Sequence, residues 1–188
     1  MERTFEEILV EQCAPTLVGI KPASLFRYRA ADPQQSRAAA VYWAGELAPF
    51  GITVQILKTC AQTGACLIYL YREAWLRTIL AGPATRDFLA QMGYQTDQGC
   101  SALLEQLSQR LCLEGAFPHE IGAFLGYPLE DVVGFIRHRG RDYTCSGCWK
   151  AYGDPETARR RFERYRRCTA QCRERLRRGV PITRMIAA

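Results

Sequence analysis

Ile52-Thr-Val-Gln-Ile-Leu57 and Ala65-Cys-Leu-Ile-Tyr-Leu-Tyr71 are the stretches whose reading decides the fold. The first alternates apolar and polar residues, as a half-buried strand does. The second is a short, almost wholly apolar run with strand-like composition. Thr59 to Gly64 reads as a turn, so the two runs predict an antiparallel hairpin. Before the hairpin, Ala23 to Tyr28 reads as a short strand and Gln34 to Phe50 as a helix with Gly51 as its C-terminal cap. After it, Glu73–Ala81, Pro83–Met92 and Asp97–Cys112 read as helices, punctuated by Gly82-Pro83 and Gly93. Phe117 to Arg137 reads as two short helices around Gly126-Tyr-Pro128, and Asp142 to Tyr152 as a strand or hairpin.

Thr4-Phe-Glu-Glu7 has the pattern of a capping box and predicts a helix from Phe5 to Gln12. The two prolines of Cys13–Pro22 are expected to end it in a loop. Asp154-Pro155-Glu156 combines an N-cap, a first-turn proline and an acidic first turn. The helix that follows is expected to reach Arg178 and stop at Gly179, with an apolar stripe of Ala158, Phe162, Tyr165, Thr169, Cys172 and Leu176. No internal repeat interrupts this order. The expected architecture is α+β, one domain over residues 1–188. It has a small antiparallel sheet (the hairpin near 52–71 plus a strand near 143–152) packed under several helices, and a long basic C-terminal helix, 154–179, packed on it.

Apolar residues make up 48% of the 188 residues and charged residues 23%, which suits a folded domain and excludes wholesale disorder. No apolar run approaches the ~20 residues that span a bilayer, and the polar start Met1–Glu7 lacks a secretory pattern, so a cytoplasmic location away from membranes is expected. Charge is uneven. From Arg137 onward, 15 Lys+Arg face 5 Asp+Glu, whereas the first 136 residues hold 10 Lys+Arg and 14 Asp+Glu. Either an anionic partner or a solvated helix face accounts for this.

Nine cysteines with no export signal point to reduced thiols or metal ligation rather than a disulfide framework. Cys145-Ser-Gly-Cys148 has knuckle spacing, and Cys168 and Cys172 share a helix face. Two such pairs can bind zinc tetrahedrally or hold an iron–sulfur cluster. Packing as small hydrophobic side chains is the alternative, as is a redox disulfide within the CxxC. In Phe117-Pro-His-Glu-Ile-Gly122, His119 and Glu120 fall in the first turn of a predicted helix, where histidine is kept neutral for general-base or ligand work. Cys13 is the candidate nucleophile to act with them. Lys21 and Lys150 are the candidate anion-binding residues. The competing reading has His119 and Glu120 capping amides and fixing a turn.

Glu120 to Ile136 has the apolar spacing of a helix-turn-helix. Its second helix, however, would present Leu129, Glu130 and Asp131 to DNA, and the acidic pair repels phosphate. Arginines crowd 159–178 and can grip phosphates. The lack of interleaved aromatics argues against stacking on single strands. No phosphate-cradling glycine loop, GxSxG or HExxH occurs, so nucleotide-dependent and familiar serine-hydrolase or zincin chemistry is disfavoured.

Cys13-Ala-Pro-Thr-Leu17 with Gly19-Ile-Lys-Pro-Ala-Ser-Leu25, then Phe117-Pro-His-Glu-Ile-Gly122, Phe124-Leu-Gly-Tyr-Pro-Leu-Glu-Asp-Val132, Gly134-Phe-Ile136 and Gly147-Cys-Trp-Lys150, resemble domain-of-unknown-function family 3793 of anaerobic Firmicutes over nearly the whole chain. The resemblance implies a stand-alone bacterial cytoplasmic protein and assigns no activity. It also tilts the reading toward a redox partner such as a flavodoxin and toward iron. Where the family pattern has valine, this chain has Ala151, and Cys145 matches no family motif.

Two functions follow from the residues. One is an auxiliary cysteine-dependent redox or metal-handling protein, with zinc or iron as the cofactor, built on Cys13, His119 and Glu120 or on Cys145, Cys148, Cys168 and Cys172. The alternative is a nucleic-acid or acidic-partner binding module using the arginine face.

Overall fold

The structure is a computed structural model that describes residues 3–113 and 117–186. It is α+β. In chain order the elements are α1 (Phe5–Leu17), β1 (Ala23–Tyr28), α2 (Pro33–Leu47), β2 (Ile52–Thr59), β3 (Cys66–Arg72), α3 (Glu73–Ala81), α4 (Pro83–Gln91), α5 (Gly99–Leu113), α6 (Ile121–Phe124), α7 (Leu129–Arg137), β4 (Cys145–Ser146), β5 (Lys150–Ala151) and α8 (Pro155–Arg177). The chain divides into two compact units. One is Met1–Trp75 with Arg167–Ala188, and the other is Leu76–Arg166. The basic helix α8 contributes residues to both.

The first unit holds a three-stranded antiparallel sheet in the order β1-β3-β2. The β2–β3 hairpin forms as its two patterns predict, with Val54 opposite Leu70 and Ile56 opposite Ile68, and a register shift follows Ile56. β3 is central because it can be buried on both faces. Ile68 and Leu70 enter one cluster, while Tyr69 and Tyr71 are buried on the other face with their rings stacked 5.0 Å apart. Its second edge is taken by β1, with Phe26 opposite Ile68 and Tyr28 opposite Cys66. The strand expected near 143–152 does form, but as a separate two-stranded ribbon of β4 and β5. Its ladder has only two residue pairs, and its backbone bonds close on themselves.

α1 runs one turn further than its prolines suggest. Thr4 and Glu7 form the expected capping box, with Thr4 N–H donating to Glu7 Oε2 at 2.9 Å. Pro15 sits in the last turn, where its missing N–H costs a single helical bond. Its carbonyl accepts from both Ile20 N–H (2.9 Å) and Lys21 N–H (3.0 Å), which turns the chain toward β1. Phe5, Leu9, Val10 and Cys13 of α1, Trp43 and Leu47 of α2, and Phe26, Ile68 and Leu70 of the sheet make one apolar core.

Arg72 closes this unit. Its Nε donates to Thr16 O at 2.8 Å and its Nη2 to Leu17 O at 2.7 Å, so one guanidinium at the end of β3 binds two carbonyls at the end of α1. Arg72→Met keeps the stem and removes both bonds. It is expected to cost about 2 kcal/mol, the order of a lost hydrogen bond to a charged group. Urea unfolding checks this, and Arg72→Lys is expected to recover part of the loss.

Candidate functional site

The motif residues of Phe117–Gly153 lie in the second unit. α6 and α7 form around Gly126, which takes a left-handed φ of 70° in the turn. Asp131, in the first turn of α7, is buried. Its Oδ2 accepts the Trp149 indole N–H at 2.7 Å, and its Oδ1 accepts the amides of Tyr152 (2.6 Å) and Gly153 (3.1 Å). The sequence reading set Asp131 against DNA phosphate. The structure turns it inward, where it fastens the β4–β5 ribbon to α7.

Trp149 is held on every side. Tyr127 stacks on it at 4.7 Å, Phe162 meets it edge-on at 4.5 Å, and the Arg161 guanidinium lies 5.9 Å from its ring centroid. Gly147 is required for this fit, because a Cβ there would overlap the Phe162 ring. Burial pushes the Tyr127 phenol up to about 12, with Cys148 and Tyr165 adding to the shift.

Glu120 is a second buried carboxylate. Its Oε1 accepts from Tyr94 O–H at 3.0 Å and from Arg110 Nη1 at 3.3 Å. Arg110 also donates to Met92 O at 2.8 Å and lies 4.1 Å from the Tyr94 ring centroid. Glu120 thus ties α6 to α5 and to the end of α4. His119 beside it is exposed, with its ring 4.8 Å from Phe135 and 5.9 Å from Phe117. The adjacent pair therefore splits, with one side chain inward and one outward. Lys150, a candidate anion ligand, donates to Gly140 O at 2.8 Å and faces the Tyr143 ring at 5.0 Å, which anchors the 138–143 turn.

Cys13 and Lys21 belong to the first unit. Cys13 is fully buried, and burial pushes its thiol up to about 12 against the opposing pull of Lys21 and a Ser24 hydrogen bond. Cys13 packs in the apolar core, and burial disfavours the thiolate that a nucleophile needs. Beside it, the buried Thr16 and Ser24 hydroxyls pair at 2.9 Å.

The other cysteines differ in kind. Cys145 is buried with Ala151, Ala158 and Phe162, whereas Cys148 is exposed, so the CxxC points two ways. Cys145 opens β4 facing in, and Cys148 lies in the turn between β4 and β5. Cys168 and Cys172 lie on α8 in the first unit, against its core. The Cys168 hydrogen bond draws the Cys172 thiol down to about 7, with Arg175 helping and burial opposing. Among the described residues, no three His, Cys, Asp or Glu side chains converge to hold a metal ion, and the two cysteine pairs of the four-cysteine set belong to different units.

α8 carries the charge. Its 23 residues hold nine arginines and three glutamates. Arg160, Arg164, Arg167, Gln171, Arg175 and Arg178 follow the spacing i, i+4, i+7, i+11, i+15 and i+18, which is one row along the helix and its first following residue. All six are exposed. Glu156 lies 3.8 Å from Arg160 and Glu174 2.9 Å from Arg178, while Arg175 donates to Arg184 O.

An α+β protein with two buried carboxylate locks, a protonated core thiol and a basic helix is what the geometry defines. The chain belongs to the family described as Protein of unknown function (DUF3793), whose profile matches residues 9–186. No curated protein and no solved structure matches it. No helix among the described residues is long and apolar enough to cross a membrane. Two residues with the clearest structural work, Asp131 and Arg110, were missed as such by the sequence reading. The Asp131 signal is an acid in a helix's first turn followed by a Trp-bearing turn. Arg110 sends none.

Asp131→Ala leaves the Trp149 indole N–H and two part-buried amides without this acceptor. It is expected to destabilise the protein by about 3–4 kcal/mol, as several orphaned donors would. Asp131→Asn keeps one oxygen and is expected to cost about 2 kcal/mol, both read by urea unfolding with tryptophan fluorescence.

Cys13 is expected to resist a disulfide reagent at pH 8 until denaturant is added, while exposed Cys112 and Cys148 react in the folded state. Because its folded pKa is raised, the folded state binds more protons than the unfolded chain above pH ~9. The stability Cys13 contributes is therefore full below about 9 and is lost as pH rises toward about 12. Relative to Cys13→Ala, the wild type should lose stability faster across that window.

Proposed function

We propose that the protein is a nucleic-acid backbone-binding module whose contact surface is the arginine row of α8. The observation that carries this reading is the row itself: five exposed arginines on one face, with Gln171 in the remaining place. Like charges spaced i, i+4, as Arg160 and Arg164 are, disfavour a helix by a few tenths of a kcal/mol, and an anionic partner relieves that cost. Every cation on α8 is arginine, whose planar fork matches phosphate oxygens in pairs. The choice of nucleic acid over an acidic protein rests on what the face lacks. No large apolar side chain on α8 is exposed. A protein–protein contact needs an apolar centre, whereas sequence-independent backbone binding is almost wholly electrostatic. The acidic start of α7 and the burial of Asp131 leave the helix-turn-helix-like segment out of this role.

Fluorescence anisotropy with a short DNA duplex and a single-stranded RNA, across a salt series, tests the reading. Binding is expected to weaken linearly in log–log form, and removing phosphate contacts should flatten the slope by about 0.9 per contact on duplex DNA. Arg160→Ala with Arg164→Ala and Arg167→Ala should lower affinity at least tenfold and flatten the slope by about 2–3. Absence of binding at 20 mM salt would overturn the reading, as would a triple variant equal to wild type. Binding of polyglutamate with no binding of either nucleic acid would instead assign the face to an acidic protein.

A further inference from the structure

We propose that Cys168 and Cys172 form a two-thiolate site for a soft monovalent metal ion, Cu(I), on the buried edge of α8. The two residues are four apart on one helix, so their side chains lie over one another on the same face. Both pack against the same core cluster, Cys172 within it and Cys168 at its rim.

The helix decides what such a pair does. Cβ atoms four residues apart are held about 5–6 Å from each other. A disulfide requires about 3.5–4.5 Å, so closing one would distort α8. A metal ion between the sulfurs has no such conflict. Two thiolate–metal bonds of about 2.3 Å let the sulfurs stand as far as ~4.6 Å apart, which tolerates the helical spacing. Soft thiolates favour Cu(I). The absence of a third His, Cys, Asp or Glu ligand among the described residues disfavours zinc, which prefers four ligands, and suits an ion content with two.

Charge is accommodated as well. Binding takes one proton from each thiol and gives a bis-thiolate complex of charge −1. Arg175, three residues beyond Cys172 on the same helix, is on hand to offset it. Cys172 is buried in the core cluster, and Cys168 is partly exposed at its rim, which provides the ion's approach. The apolar core covers the Cys172 side of the site.

The test is an anaerobic titration of the fully reduced, full-length chain with Cu(I), in competition with a chromophoric Cu(I) chelator. Wild type is expected to hold one equivalent against the chelator. Cys168→Ser and Cys172→Ser should each lower that affinity at least 100-fold, while the Cys145→Ser, Cys148→Ser double variant should retain it. Serine variants that keep the affinity, or loss of it in the Cys145/Cys148 variant, would overturn the assignment. X-ray absorption on the wild-type copper complex needs no variant to fold. Two sulfur neighbours are expected, and three or four sulfurs or a nitrogen neighbour would overturn the site.

Discussion

The carboxylate of Asp131 is buried, and a buried carboxylate must be satisfied from several directions. The Trp149 indole and the amides of Tyr152 and Gly153 provide this, and much of the second unit's packing follows from it. Trp149 is thereby aimed between Tyr127 and Phe162. The close approach of the ribbon to α7 and α8 then leaves no room for a Cβ at Gly134 or Gly147. Lys150, one residue beyond Trp149, reaches Gly140 O and fixes the preceding turn. A two-stranded ribbon of this size has little stability of its own. The ionic hydrogen bonds of a neighbouring helix make up the difference.

Glu120 works by the same rule on the other side of α6, and Arg72 applies its mirror image in the first unit, where a cation binds carbonyls. These three charged groups explain why the motif segment is dense in unusual residues without holding an obvious reaction centre. Residues that lock loops carry the same sequence signature as residues that do chemistry: an isolated acid or a histidine beside glycine and proline. Burial separates the two roles. Cys13 shows this most plainly, because the environment that makes it a good core side chain keeps its thiol protonated.

Much of the local structure was legible in the sequence. The capping box at Thr4, the left-handed Gly51 and Gly179, the β2–β3 hairpin and the Asp154 start of α8 all depend on residues within a turn or two of each other. The site was less legible. The arginine row could be read from spacing alone, since a helical face is a periodic property. The inward Asp131 and Glu120 could not, because their partners stand 18 and 26 residues away in the chain. The split of the CxxC into one inward and one outward thiol depends on where β4 meets α8, which spacing does not specify.

The sequence by itself determined the element types, most helix ends, the β2–β3 pairing and the charge of α8. Periodicity, capping and composition act over a few residues and need no knowledge of the fold. Tertiary structure decided that β1 rather than the 143–152 segment completes the sheet. It also decided which acids are buried, and that Cys13 lies in the core with its thiol pushed up while the Cys172 thiol is drawn down. Those outcomes turn on desolvation and on partners brought together by folding. The free energy of a charge or a thiol is set by its surroundings, and residue identity alone does not specify them.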